Sequence, residues 1–167
     1  MDVRYINPFI HAVRRVFETM VHTTVTVSKP SLRHDGHPVA DVSGIIGLSG
    51  DVSGSVALSF PREVACAVAS AFAGAPIRDT DADFADALGE LANMVAGSAK
   101  THFAGLNVSI SLPSVVMGHD LRVLSSRTFP RIVIPCETGL GSVYVDVAMR
   151  MERAASATPA AAAGVGA

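Results

Sequence analysis

The chain repeats part of its own sequence, and this repeat restricts the fold more than any other feature. Residues 25–32 (VTVSKPSL) match residues 108–115 (VSISLPSV) at an offset of 83 positions, and residues 54–58 (GSVAL) resemble residues 141–145 (GSVYV) at an offset of 87. Both halves therefore contain a helix, a strand, a connection and a hairpin in the same order. We predict an α+β fold in which pseudo-duplicated helices pack on a largely antiparallel β-sheet. A chance similarity between two amphipathic α+β stretches is the alternative.

Periodicity and turn residues predict the individual elements. Asn7 as N-cap and Pro8 as the first helical residue begin a helix over residues 8–21, and alternating residues predict a strand over 21–27. A loop is predicted at residues 31–38. The remaining predicted elements are hairpin strands at 39–48 and 53–60, helices at 62–73 and from Asp81 or Asp83 to about Phe103, and strands at 107–112, 115–124, 129–135 and 141–149.

The 167 residues are predicted to hold one domain. Residues 1–151 make up this domain, with residues 3–151 as its folded part, and residues 152–167 are an Ala/Gly tail expected to be disordered. With 13 Lys and Arg against 15 Asp and Glu, the charge argues against a nucleic-acid-binding protein. The sequence shows no signal-peptide pattern, and outside the alanine tail it has no long apolar run, so we expect a soluble cytoplasmic protein without a membrane partner.

Residues 86–100 (DALGELANMVAGSAK) carry the groups best suited to chemistry. The apolar stripe of this helix, predicted to face the core, comprises Phe84, Leu88, Leu91, Val95 and His102. The polar stripe comprises Asp86, Glu90, Asn93, Gly97 and Lys100. Glu90 and Asn93, three positions apart, are neighbours on the exposed face.

Two glycines, Gly89 and Gly97, lie inside this predicted helix. Each costs the helix about 1 kcal/mol relative to alanine. A close approach of another backbone or of a partner would explain a glycine on the polar face. On spacing alone, a solvated helix face with a packing glycine is the simpler interpretation.

Five segments, in order along the chain, resemble a known family. They are NPFI (7–10), VFETM (16–20), DVSGIIGLSG (41–50), GSVALSF (54–60) and GELANMVAG (89–97). Together they are similar to the CheX chemotaxis phosphatase family, whose relatives are CheC and FliY, and the similarity extends over residues 5–149. The resemblance implies a CheC/CheX-like α+β fold and a phosphatase that dephosphorylates the response regulator CheY.

The resemblance also implies roles for the polar pair. Members of the family act through an E-x-x-N motif on a long helix, and this motif falls on Glu90 and Asn93. By this resemblance, Asn93 orients a water molecule for in-line attack on the aspartyl phosphate of the receiver domain, and Glu90 pairs with the receiver's own lysine. Magnesium would be supplied by the receiver, so we expect no metal site and no cofactor of the chain's own.

The repeat predicts one active site per chain. Subtracting 83 from 90 and 93 gives Asn7 and Ile10, so the first half lacks both the carboxylate and the amide. In this respect the chain resembles the single-site CheX branch, whereas CheC-like relatives can carry a motif in each half. The resemblance to that branch further implies a homodimer formed by joining sheets, with the strand of residues 115–124 as an exchanged or edge element.

The other reactive residues are weaker candidates. The sequence His34-Asp35-Gly36-His37 is interpreted as a surface loop in preference to a metal site, because no third ligand is near it. Four scattered histidines are interpreted as ordinary core or surface residues: His11, His22, His102 and His119. Cys66 is predicted to be a small buried hydrophobic residue, and Cys136 lacks the neighbouring base that a nucleophile needs.

Acidic residues also cluster before and in the long helix. They are Asp79, Asp81, Asp83 and Asp86. Charges at a helix N-terminus explain them better than a calcium site, because no bidentate glutamate closes a 12-residue loop.

Two other functions are considered as alternatives to the phosphatase. One is a non-catalytic module of the same fold that docks a regulator or a motor component. The other is a stress-response dimeric scaffold, which no sequence feature supports. The presence of both Glu90 and Asn93 favours the phosphatase, because a binding module has no need of an amide beside the carboxylate.

Overall fold

The computed structural model describes residues 5–32, 40–121 and 131–152. The helices are α1 (Asn7–Val16), which continues as a π-helical turn (Phe17–Val21), α2 (Arg62–Ala73) and α3 (Asp83–Lys100). The strands are β1 (Val25–Val27), β2 (Ser31–Leu32), β3 (Ala40–Gly50), β4 (Val52–Phe60), β5 (Val108–Ile110), β6 (Ser114–Leu121), β7 (Arg131–Thr138) and β8 (Gly141–Met151). Among the described residues, no helix is both long and apolar enough to span a bilayer.

The strands form one antiparallel sheet whose order reflects the sequence repeat. The order is β1-β7-β8-β4-β3-β5, with β2 also paired to β7 and β6 also paired to β3. If each of the strands β1 to β4 is exchanged for its counterpart among β5 to β8, the same order is obtained in reverse. The two halves are therefore related by a pseudo-twofold axis between β4 and β8. The predicted α+β fold of duplicated helices on an antiparallel sheet is therefore confirmed.

The repeated octapeptides occupy equivalent places in the two halves. In each half a short strand is followed by a break and then by a second strand on the same neighbour, with Pro30 in the first break and Pro113 in the second. Proline has no N–H to donate to the ladder, so each pairing is interrupted where the repeat carries it.

The main hydrophobic core lies between the helices and one face of the sheet. The largest fully buried side chains include Phe9, Phe17, Phe60, Phe84, Ile46, Leu58, Leu88 and Leu91. They come from α1, the π-helical turn, α3 and the two central hairpin strands. This core fixes one side of α3 against the sheet and leaves the opposite side exposed.

Helix α3 lies unusually close to β3, and Gly44 makes this approach possible. A Cβ atom at Gly44 would lie 2.9 Å from the Cβ of Ala92 and 3.2 Å from the carbonyl oxygen of Leu88, both on α3. The first distance is shorter than van der Waals contact between carbon atoms allows. The absence of a side chain at Gly44 therefore sets the height of α3 above the sheet.

Several predicted element ends differ from those in the structure. Asn7 is the first helical residue and not the N-cap, which is Ile6. The first strand begins at Val25 and not at residue 21, because the π-helical turn continues to Val21 and His22 adopts a left-handed conformation with φ 58°. The predicted loop at residues 31–38 begins with the strand β2, which pairs with β7.

The long helix also ends earlier than predicted. It stops at Lys100, and His102 lies in the following turn with an exposed side chain, so the prediction that His102 faces the core is wrong. Phe103 fills that place and contacts Tyr5 and Phe9. The other four members of the predicted apolar stripe are buried. Residues 153–167 lie outside the described residues, so the boundary at residue 151 stays a prediction.

Candidate functional site

The polar pair lies on the outer face of α3. Glu90 is exposed and Asn93 is half-buried, while their neighbours Leu91 and Ala92 are buried on the opposite side of the helix. Residues three positions apart in a helix are adjacent on its surface, so the carboxylate and the amide belong to one surface patch. The prediction that both residues lie on one face of a long helix is confirmed.

Neither side chain is used to hold the fold together. Within residues 5–32, 40–121 and 131–152, the carboxylate of Glu90 and the carboxamide of Asn93 make no hydrogen bond or ion pair. Their donors and acceptors are therefore not used by the described part of the chain and are available to a partner. A carboxamide offers one acceptor oxygen and two N–H donors, so Asn93 can contact water and a second group at once.

A groove borders this patch on one side. Its volume is about 450 Å³, and it is lined by Ala85, Asp86, Gly89 and Glu90 from α3 and by Pro113 and Val115 from the chain around the start of β6. The local sequence pattern of α3 does not indicate the Pro113 side of this groove. The signal was present in the repeat, because Pro113 corresponds to Pro30 and so marks a break at the sheet edge.

The two interior glycines of α3 have different surroundings. Gly89 is buried, and a Cβ there would lie 3.4 Å from the Cβ and Cγ of Pro113. A Cβ at Gly97 would have the Cδ1 atom of Ile110 as its nearest neighbour, at 3.9 Å. A Cβ at either glycine would therefore make only ordinary van der Waals contacts with the described residues, and the contacts at Gly89 would be the tighter ones.

The equivalent patch on α1 lacks the pair. At the offset of 83, Asn7 corresponds to Glu90 and Ile10 to Asn93. Asn7 and Glu90 are both exposed, and Ile10 and Asn93 are both half-buried. The left-handed residues that follow the two helices, His22 and Gly105, are also separated by 83 positions. The offset therefore describes the structure as well as the sequence, and the described part of α1 presents no Glu/Asn pair.

The described histidines and cysteines differ in their exposure to solvent. His11, His22, His102 and His119 are all exposed, and the rings of His11 and His102 stack with centroids 6.3 Å apart, a contact that the sequence did not predict. Cys66 is half-buried. Burial raises the pKa of the Cys136 thiol to about 12, which keeps it protonated and unreactive. His34, Asp35 and His37 lie outside the described residues.

The acidic cluster has structural partners at its start. Asp79 forms an ion pair with Arg62 at 2.7 Å, and the Asp81 carboxylate accepts a hydrogen bond from the backbone N–H of Arg78 at 2.8 Å. This hydrogen bond lowers the pKa of Asp81. Asp83 and Asp86 lie in the first turn of α3, where the helix dipole favours negative charge. Within the described ranges, no three His, Cys, Asp or Glu side chains are grouped so that they could hold a metal ion.

Comparison with known proteins gives consistent matches in sequence. The sequence profile of the family described as Chemotaxis phosphatase CheX matches residues 42–137. The CheY-P phosphatase CheX of Thermotoga maritima is 35% identical over 129 residues, which cover 75% of this chain and 83% of that protein.

Solved structures match over most of the chain as well. A chemotaxis protein CheX from Desulfovibrio desulfuricans has a TM-score of 0.80 and 30% identity, covering 89% of this chain and 99% of that one. The CheX-CheY-BeF3-Mg²⁺ complex from Borrelia burgdorferi has a TM-score of 0.74 and 28% identity, covering 87% and 97% of the two chains.

Proposed function

The chain belongs to the CheX family of chemotaxis phosphatases, and on this premise we propose that it hydrolyses the aspartyl phosphate of a CheY-like receiver domain at Glu90 and Asn93. The observation that supports this site is the free, outward-facing pair on α3. The relative from Thermotoga maritima is named a CheY-P phosphatase, and the related complex from Borrelia burgdorferi contains CheY.

The chemistry of the substrate suits a site with only two polar side chains. An aspartyl phosphate is an activated acyl phosphate, so the chain needs to position a water molecule and does not need to supply a covalent nucleophile. The water oxygen forms a bond to phosphorus while the bond from phosphorus to the aspartyl oxygen breaks. The products are the free aspartate carboxylate and inorganic phosphate.

Asn93 is proposed to hold this water in line with the breaking bond. Its carboxamide oxygen accepts a hydrogen bond from the water, and its N–H groups donate to an oxygen of the receiver site. The amide has no charge and does not titrate near neutral pH, so its action is positioning and not base catalysis. The half-buried position of Asn93 on a rigid helix limits the directions that the amide can take.

The magnesium ion is proposed to come with the receiver domain. The related complex contains Mg²⁺ together with CheY and BeF3. Glu90 and Asn93 offer too few oxygen ligands to build a magnesium site by themselves. The chain's own residues therefore bind the receiver and orient the water, and the metal neutralises charge on the phosphoryl group.

Glu90 is proposed to form an ion pair with a lysine of the receiver. Replacing Glu90 by alanine should raise KM and the Kd for the receiver by about tenfold, because one charge-assisted contact in the interface is lost. Glu90→Lys should weaken binding further through like-charge repulsion. Titration of the receiver into each variant at low and high salt measures this, and a Kd equal to that of the unchanged protein in both variants would remove the assignment.

A homodimer formed through β6 is proposed as the working assembly. This strand pairs with β3 on one side, and no strand of the described residues lies on its other side. Val116 and Met117 on it are 42% and 40% exposed, which is unusual for apolar residues on an edge strand. The molar mass in solution, measured by light scattering, should be twice that of the chain, and a monomeric mass at micromolar concentration would contradict the assembly.

The experiment that tests the proposed function is phosphate release from a phosphorylated receiver domain in the presence of Mg²⁺. The chain should accelerate release over the receiver's own rate at substoichiometric concentrations, which demonstrates turnover. Binding without acceleration, with every receiver domain tried, would instead identify a docking module of the same fold.

A further inference from the structure

Leu112 is the most exposed large hydrophobic side chain in the described part of the protein, at 87% of its surface. It lies in the break between β5 and β6. Hydrogen bonds hold the break in place, because the backbone N–H of Gly47 donates to the Ser111 Oγ at 2.9 Å and that hydroxyl donates to the Leu112 carbonyl at 2.7 Å. The leucine is therefore presented to solvent by an ordered segment.

The break runs beside the polar face of α3. A Cβ at Gly97 would contact Ile110, and a Cβ at Gly89 would contact Pro113. Residues 110–113 therefore run alongside residues 89–97 of α3, antiparallel to the helix. The eight helical steps span about 12 Å. The three extended steps span about 10 Å. Leu112 therefore lies alongside the turn of α3 that carries Glu90 and Asn93.

The first half of the chain has a different residue at the equivalent position. At the offset of 83, Lys29 corresponds to Leu112, and it is exposed in the break before β2. A long charged side chain is the ordinary occupant of such a solvated position. The fold does not require leucine in this break, and the leucine occurs in the half that has the Glu/Asn pair.

Gly97 shows the same contrast. Its counterpart in α1 is Arg14, an exposed residue with a long side chain. Within the described residues the nearest atom to a Cβ at Gly97 is 3.9 Å away, so the packing there leaves room for a Cβ atom. A glycine inside a helix lowers helix stability, and among the described residues no neighbour comes close enough to require glycine here.

We propose that Leu112 and Gly97 extend the Glu90/Asn93 patch into a docking surface for the receiver domain, in which Leu112 makes an apolar contact with the receiver and Gly97 allows the receiver backbone to approach α3. This inference rests on the proposed function, because it takes the receiver as the partner. It assigns the two residues to binding and not to the hydrolytic step.

The position of Leu112 favours the receiver over a second copy of the chain. A copy that joins the sheet edge would pair with the ladder of β6, which begins at Ser114. Leu112 lies before that ladder, and the next residue, Pro113, lines the groove together with Glu90. A surface continuous with the Glu/Asn pair is the one that a docked receiver must cover.

The test replaces Leu112 and Gly97 by the residues at the equivalent positions of the first half, Lys29 and Arg14. Leu112→Lys and Gly97→Arg should fold, because Lys29 and Arg14 are accommodated at the equivalent positions, and Leu112→Ser removes the apolar group without adding charge. The probe is a receiver domain activated by beryllofluoride and Mg²⁺, with Kd measured by calorimetry. Leu32→Ser is the matched control, since Leu32 is 51% exposed at the opposite end of the sheet.

All three variants should raise Kd and KM by about tenfold or more, and Leu32→Ser should change neither by more than about twofold. The effect of Leu112→Ser should persist at high salt, unlike that of an ion pair.

Phosphate release by the unchanged protein, together with a Kd that none of the three variants changes, would overturn the docking surface and leave the proposed function standing. A change in dimer mass with an unchanged Kd would assign Leu112 to a contact between copies and also overturn it. Binding that depends on Leu112, without any phosphate release by the unchanged protein, would overturn the proposed function and leave the surface standing.

Discussion

Asn93→Ala is expected to lower kcat for phosphate release by at least about 100-fold, the loss typical of one group positioned for the transition state. The amide makes no hydrogen bond to the described part of the fold, so its removal leaves no internal partner unsatisfied. The melting temperature should therefore stay close to that of the unchanged protein. Single-turnover phosphate release at saturating enzyme measures the chemical step directly.

The binding of Asn93→Ala separates catalysis from docking. Because Glu90 remains, the variant should keep most of its affinity for the beryllofluoride-activated receiver, and only kcat should fall. The matched control is Asn7→Ala, which removes an exposed amide at the position of α1 that corresponds to Glu90. This control should release phosphate at the rate of the unchanged protein. An Asn93→Ala variant with a rate within about threefold of that control would show that the amide does not orient the water.

Gly44→Ala is expected to destabilise the protein by about 1–3 kcal/mol, the cost of forcing an extra methyl group into a packed core. The new Cβ would lie 2.9 Å from the Cβ of Ala92 and 3.2 Å from the Leu88 carbonyl oxygen, so α3 has to move away from β3. Because α3 carries Glu90 and Asn93, kcat should fall as well, since a displacement of 1 Å at a catalytic group can cost about 100-fold. Denaturant unfolding and phosphate release measure the two effects.

Gly47→Ala is the matched control on the same strand. A Cβ there would have the Ser111 Oγ as its nearest neighbour at 3.4 Å, an ordinary contact distance, and no atom of α3 within 4 Å. The free energy of unfolding should therefore change by less than about 0.5 kcal/mol, as for a substitution that breaks no packing feature. Equal stability and equal kcat in the two alanine variants would contradict the role of Gly44 in placing α3.

The sequence predicted the fold through its repeat. The two octapeptides at an offset of 83 indicated duplicated halves, and the structure places each of them along an edge of one antiparallel sheet. Helix α2 was predicted with its observed ends, because Pro61 and Gly74 mark both of them. The predicted end of α3 near Phe103 and the burial of His102 were wrong. A helical period continues through the turn at residues 101–102, so hydrophobic spacing could not locate the end.

The candidate pair was also accessible from the sequence. An i, i+3 spacing on a strongly amphipathic helix fixes which residues share a face, so the outward placement of Glu90 and Asn93 followed from local rules. The roles of the two residues came from the resemblance to CheX and stay proposals. The wall formed by Pro113 and Val115 did not follow from the local pattern, because it depends on which loop lies beside α3.

Sequence by itself determined the features that depend on short separations along the chain: the helical faces, the turns, and the repeat that sets the topology. Tertiary structure decided which of the two α3 glycines is buried by the rest of the chain: Gly89 is buried against Pro113, and Gly97 is only half-buried. It also decided that Leu112 is exposed in the break between β5 and β6 and that Gly44 sets the distance between α3 and β3. The physical reason is that close packing is a relation between atoms distant in sequence, and the residue type of a glycine or leucine does not specify its neighbours.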